Sequence, residues 1–299
     1  MSDPHQHHHH HHAGANRRRL TLVLVVTSLF LVVEVAAGIL TGSLALLADA
    51  GHMLTDVAGL VLAILAMKFA ERPPTPEHTY GYYRVEILAA LVNAMLLLGV
   101  SGYILVEAAE RLGNPPAVAS GGMIAVATAA FGVNLFGLFM LRSGAEESLN
   151  VKGAYFEVLS DMLSSIGTIV AGIVILRTGW YYADPLVSAA IGLFILPRTW
   201  TLLREAIGVL LEGTPTHVDL VALRRAMEGL PGVERTHDLH VWTLTSGVYA
   251  MSAHAVLCDG GRDDEVLAAI QECVRSSFRI AHVTVQLERQ RCQDTHGHE

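Results

Sequence analysis

The chain has 299 residues, 52% of them hydrophobic and 16% charged, with a net charge of −8, against about 25% charged residues in soluble globular domains. This composition excludes a wholly soluble protein, and the absence of a basic patch excludes a nucleic-acid-binding surface. Cys258, Cys273 and Cys292, odd in number and without CxxC spacing, exclude a disulfide framework and fit a reducing compartment.

Residues 1–18 form a His-rich tail, with seven of the sixteen histidines among the first twelve residues. It reads either as a purification tag or as a native metal-collecting tract. The first apolar run begins behind Arg17, Arg18 and Arg19, and no signal peptide is expected ahead of it.

Residues 19–211 hold six apolar segments, each near the roughly 20 residues that a helix needs to cross a bilayer. They are Leu20–Leu40, Leu44–Phe69, Val85–Ala108, Gly121–Leu141, Tyr155–Leu176 and Ala183–Leu203. Thr41-Gly42-Ser43 is a tight turn, and Arg72-Pro73-Pro74-Thr75-Pro76 and Asn114-Pro115-Pro116 are breaks that no helix can continue through. Asp184-Pro185 reads as the N-cap and first turn of the sixth helix. Ten Lys and Arg residues lie on the N-terminal side of the spans and two on the other. Both termini are therefore expected in the cytoplasm.

Residues 212–290 read as a cytoplasmic domain of order αββαβ: a helix over Val218–Gly229, strands over Val233–Leu244 and Tyr249–Leu257 joined at Ser246-Gly247, a helix over Arg262–Phe278 and a strand over Ala281–Glu288. The expected fold is thus an α-helical membrane protein of six transmembrane helices with a small α+β, ferredoxin-like C-terminal domain. Residues 291–299 read as a flexible tail.

Ionisable groups inside a span are costly and mark function by default. The second span carries Asp49, His52 and Asp56, and the fifth carries Glu157 and Asp161. Residues four apart share a helix face, so His52 with Asp56, and Glu157 with Asp161, each form a pair of candidate ligands. Facing one another they offer one imidazole and three carboxylates, a donor set that suits tetrahedral zinc. Imidazole also accepts cobalt, nickel or copper, and the carboxylates lean toward harder ions such as manganese. Asp49, almost a turn before His52, is placed as a second-shell partner for the imidazole. Three carboxylates against a divalent ion leave a charge of about −1, so a proton sharing the empty site would be released as metal binds. Glu34, Asn93, Glu107 and Asn134 read as ties between helices or as interface residues.

These residues resemble the cation diffusion facilitator family of metal transporters, in particular its cobalt–zinc–cadmium resistance branch. The resemblance rests on Gly42-Ser-Leu-Ala-Leu-Leu-Ala-Asp49, His52-Met-Leu-Thr-Asp56, Tyr80-Gly-Tyr-Tyr-Arg-Val-Glu86, Leu149-Asn-Val-Lys-Gly-Ala154, Glu212-Gly-Thr-Pro215 and His237-Asp-Leu-His-Val-Trp242. It implies a homodimer in the bacterial plasma membrane, exchange of metal for protons by alternating access, and a transport site at His52, Asp56, Glu157 and Asp161. Many members carry histidine where Glu157 stands. The family's loop site between the second and third spans has only Glu77 and His78 here, with Tyr82 in place of a histidine, and is expected to be lost or weak.

The C-terminal domain adds His237, His240, His254 and His282 on strands or their edges, with Glu288 closing the last strand. Strand alternation sends His237 and His240 to opposite faces unless a bulge intervenes. The resemblance favours His237, His254 and Glu288 as ligands, with His240 next. The expected function is proton-coupled efflux of Zn2+, with Co2+ or Cd2+ possible, and not catalysis. No HExxH motif supports an intramembrane metalloenzyme. A membrane-anchored metal sensor is the alternative, and it gives the intramembrane ligands no role.

Overall fold

A computed structural model describes residues 8–70, 72–145, 149–258 and 262–289. The start of the histidine tail and the C-terminal tail with Cys292 lie outside them.

Six long helices form where the apolar runs predict them: α1 (His8–Thr41), α2 (Leu44–Ala70), α3 (Arg84–Gly113), α4 (Ser120–Ala145), α5 (Leu149–Thr178) and α6 (Ala183–Leu210). Among the described residues, five are long and apolar enough to cross a membrane: Leu22–Thr41, Arg84–Gly113, Ser120–Arg142, Tyr155–Thr178 and Ala183–Leu210. The six spans expected from sequence stand at five by this measure, because α2, 27 residues long, is not among them. It is the helix that carries Asp49, His52 and Asp56.

The chain divides into two compact units, Met1–Leu62 with Val92–Thr201, and Ala63–Leu91 with Leu202–Glu299. In the first, α4 packs along α5 and α1. Small residues set the close approach: Ala45, Ala127, Ala171 and Ala183 are buried together with Met123 and Ile175. This is how membrane helices associate when lipid gives them no hydrophobic drive. The outward faces show Leu29, Val32, Ile39, Leu40, Tyr103, Phe139 and Phe194, all more than half exposed. So wide an apolar surface suits lipid.

Between α1 and α2 the chain turns at Gly42, whose φ of +70° only glycine adopts freely. Asp184, expected to cap α6, instead lies inside that helix and caps α2. Its carboxylate accepts from the backbone N–H of Leu44 at 2.8 Å and of Ala45 at 3.2 Å, and from the Ser43 hydroxyl at 2.7 Å. Arg111 donates to the Gly42 carbonyl at 2.7 Å and pairs with Glu107 at 2.8 Å, so Glu107 ties within α3.

The second unit contains α7 (Leu220–Glu228), β1 (Val233–Thr245), β2 (Val248–Leu257), α8 (Asp263–Phe278) and β3 (His282–Glu288). Strand order is β1-β2-β3. β1 and β2 pair antiparallel across Ser246-Gly247, with Gly247 at φ +75°. β3 returns parallel to β2, which requires a crossover, and α8 supplies it. This is the expected αββαβ arrangement. The core sets Leu223 and Met227 of α7 and Ile270 and Val274 of α8 against Met251, Ala253 and Ala255 of β2. In the same unit Arg84 pairs with Glu212 at 2.7 Å, and Glu86 accepts hydrogen bonds from Thr245 and Ser246.

Candidate metal centres

In the membrane domain, the four-residue spacing on α2 turns His52 and Asp56 to one side, and the same spacing on α5 turns Glu157 and Asp161 to one side. The two faces meet. His52 Nε2 lies 3.4 Å from Glu157 Oε1, 3.6 Å from Asp161 Oδ1 and 3.7 Å from Asp56 Oδ2. Donors about 2.0 Å from a tetrahedral ion stand about 3.3 Å from one another, so these separations are close to the edges of such a site. Ligand atoms of His52, Asp56 and Asp161 all fall within 4.8 Å of one another.

Glu157 Oε1 and Asp161 Oδ1 are buried with no hydrogen bond of good geometry among the described residues. Buried polar atoms are normally satisfied, and an orphaned pair of carboxylate oxygens beside an imidazole nitrogen has the character of a ligand set. The other oxygen of Glu157 is taken by Arg198 of α6. Arg198 is one of the ten basic residues on the N-terminal side of the spans, and nothing in spacing along the chain joins it to Glu157.

Asp49 does not hold the imidazole as expected. It accepts a hydrogen bond from Ser164 on α5, while His52 Nδ1 has no partner among the described residues. Ser164 and Ser165 both donate to the Asp161 backbone carbonyl. Glu34 on α1 is fully buried, with neither oxygen in a hydrogen bond of good geometry among the described residues. Its electrostatic neighbours are Asp49 and Asp161.

In the C-terminal domain each strand contributes one candidate ligand. His237 of β1 stands directly across from His254 of β2. Glu288 of β3 reaches both, at 3.1 Å from His237 Nε2 and 2.8 Å from His254 Nδ1. The His254 contact is short but off the line of a hydrogen bond. Gln286 donates to Glu288 Oε1 at 3.0 Å, and the period of two along β3 was the signal that could have found it.

A bulge follows His237, with Asp238 at φ +50°. His240 turns out of the cluster and bonds Asp238 at 2.9 Å, and that bond holds the Asp238 carboxyl below the usual carboxylate range. Asp238 also lies 3.7 Å from His254 Nε2, a neighbour the strand pattern did not reveal. His282 is exposed at the start of β3 with its ring edge-on to Tyr80, apart from the cluster. His78 stacks on Tyr82, with ring centroids 4.8 Å apart.

The cation efflux transmembrane domain family matches residues 20–211, and the cytoplasmic domain family of cation efflux proteins matches residues 215–290. The chain belongs to the cation efflux, or cation diffusion facilitator, family. Its membership makes it a multi-pass membrane protein of a transporter family. Among its cation efflux relatives, the metal cation efflux system protein CzcD of Cupriavidus metallidurans is 47% identical, over 90% of this chain and 85% of that one. The zinc transporter ZitB of Escherichia coli is 42% identical, over 91% and 88%. The cadmium, cobalt and zinc/H(+)-K(+) antiporter of Bacillus subtilis is 40% identical, over 90% and 87%.

Proposed function

We propose that this chain exports divalent transition-metal cations, zinc first with cobalt and cadmium as further substrates, in exchange for protons by alternating access. The observation that carries the reading is the convergence of His52, Asp56, Asp161 and one oxygen of Glu157 from two membrane helices. Relatives named for zinc, cobalt and cadmium support the choice of ions. Each ligand must be deprotonated to bind metal, so ions entering the site displace protons from it. All six long helices are taken as spans, α2 included, with both termini in the cytoplasm and the protein a homodimer in the bacterial plasma membrane. His237, His254 and Glu288 form a second metal site in the cytoplasmic domain, one ligand from each strand.

Zinc uptake into proteoliposomes under an imposed pH gradient tests this. The parent chain accumulates zinc and Asp161→Asn does not, because at the most enclosed carboxylate the amide removes the charge and leaves only a neutral carbonyl oxygen as a donor. Asp161→Asn vesicles that accumulate zinc like the parent would show that the site lies elsewhere.

A further inference from the structure

Glu157 is divided between an imidazole and a guanidinium. One oxygen lies 3.4 Å from His52 Nε2, on the ligand side, and the other is paired with the guanidinium of Arg198. Arg198 follows Pro197 inside α6. Proline donates no backbone hydrogen bond and weakens the helix at that point. The Thr199 and Thr201 hydroxyls, just after Arg198, donate to the carbonyls of Ile195 and Pro197, just before it. Its side chain is 59% exposed and that of Glu157 21%, so the pair sits at the mouth of the ligand cluster.

Building on the reading of His52, Asp56, Glu157 and Asp161 as the transport site, we propose that Arg198 is a specificity-determining residue, the resident counter-ion that an incoming metal must displace from Glu157. Three carboxylates overbalance a divalent ion by one negative charge, and a permanently charged guanidinium cancels that excess. The empty site is then held at about −2 rather than about −3 and attracts a cation less strongly. A metal drawing Glu157 into its coordination sphere must in addition give up part of its binding energy to free Arg198. Ions that favour carboxylate oxygen over imidazole depend most on Glu157, so Arg198 disfavours manganese more than zinc.

The test is equilibrium dialysis of the detergent-solubilised full chain against Zn2+ and, separately, Mn2+, counting only the binding that Asp161→Asn abolishes. Arg198→Gln is expected to tighten binding of both ions, by about three- to tenfold for Mn2+ and less for Zn2+, the scale of one partly exposed ion pair. In a Glu157→His background the gain disappears, since the coupling runs through that carboxylate. Arg198→Met reproduces the glutamine result and replaces it if the glutamine variant does not fold, and Arg198→Lys, which keeps the charge, stays near the parent. Unchanged or weaker binding in Arg198→Gln, equal gains for the two ions, or a gain that survives Glu157→His each overturns the proposal. If Asp161→Asn abolishes no binding at all, it is the underlying site that fails rather than the role of Arg198.

Discussion

Glu288 is 5% exposed in the C-terminal domain and sits between two imidazoles, so the direction of its carboxylate decides whether His237 and His254 act as one site. Gln286 sets that direction through its 3.0 Å bond to Oε1. Groups that orient ligands in this way are worth about 10- to 100-fold in metal affinity. Gln286→Ala is therefore expected to weaken zinc binding at this site by that range while leaving the secondary structure unchanged, as zinc titration against a competing chelator with parallel circular dichroism would show. At the membrane site, Glu157→His replaces a hard ligand by imidazole and removes the partner of Arg198. Metal-competition transport should then favour zinc over manganese more strongly than in the parent. His52, Asp56, Glu157 and Asp161 were legible because helical spacing is local and charge inside a span is conspicuous. Arg198, Gln286 and Asp238 were not. The first acts across a tertiary contact, the second is an uncharged neighbour of a ligand, and the third becomes a neighbour of His254 only through a bulge that the alternating pattern does not announce.

Helix limits were legible for the same local reason, since runs of apolar residues and proline or glycine breaks mark the ends of α1 to α6. The partners of those ends were not, because the capping group of α2 lies some 140 residues further along the chain. A membrane helix whose first turn is buried has no water to satisfy its N–H groups. Asp184 meets two of them and the Ser43 hydroxyl at once. Loss of a capping side chain costs about 1–2 kcal/mol, and here it would also remove a second carboxylate beside Arg111, 3.9 Å away. Asp184→Ala should lower the thermal midpoint of the detergent-solubilised protein by several degrees. Asp184→Asn, which keeps one acceptor, should lower it less. Equal midpoints in parent and alanine variant would mean that the cap adds nothing to the stability of the domain.

For the whole molecule, the proposed exchange is limited by charge movement across the membrane. Each elementary charge carried through 100 mV is worth about 2.3 kcal/mol. A divalent ion leaving a negative interior therefore works against roughly twice that, less the same amount for every proton that enters. We take the smallest count, one proton: three carboxylates balance the metal and Arg198 when the site is loaded, the emptied site with Arg198 stands at about −2, and one proton brings it to about −1. One ion against one proton moves one net charge. Steady-state zinc accumulation in proteoliposomes should then change by roughly forty-fold per 100 mV of potassium diffusion potential, the equilibrium factor for that energy. Dissipating the pH gradient at constant potential should lower accumulation by about tenfold for each pH unit lost and leave the part that the potential drives. The sign is fixed by the net charge: a potential that makes the receiving compartment negative raises accumulation, and the reverse lowers it. Flux that depends on the pH gradient and ignores the potential would instead require two protons per ion. In that case a second buried carboxyl must carry one of them, and Glu34, fully buried beside Asp49, would be the residue to substitute next.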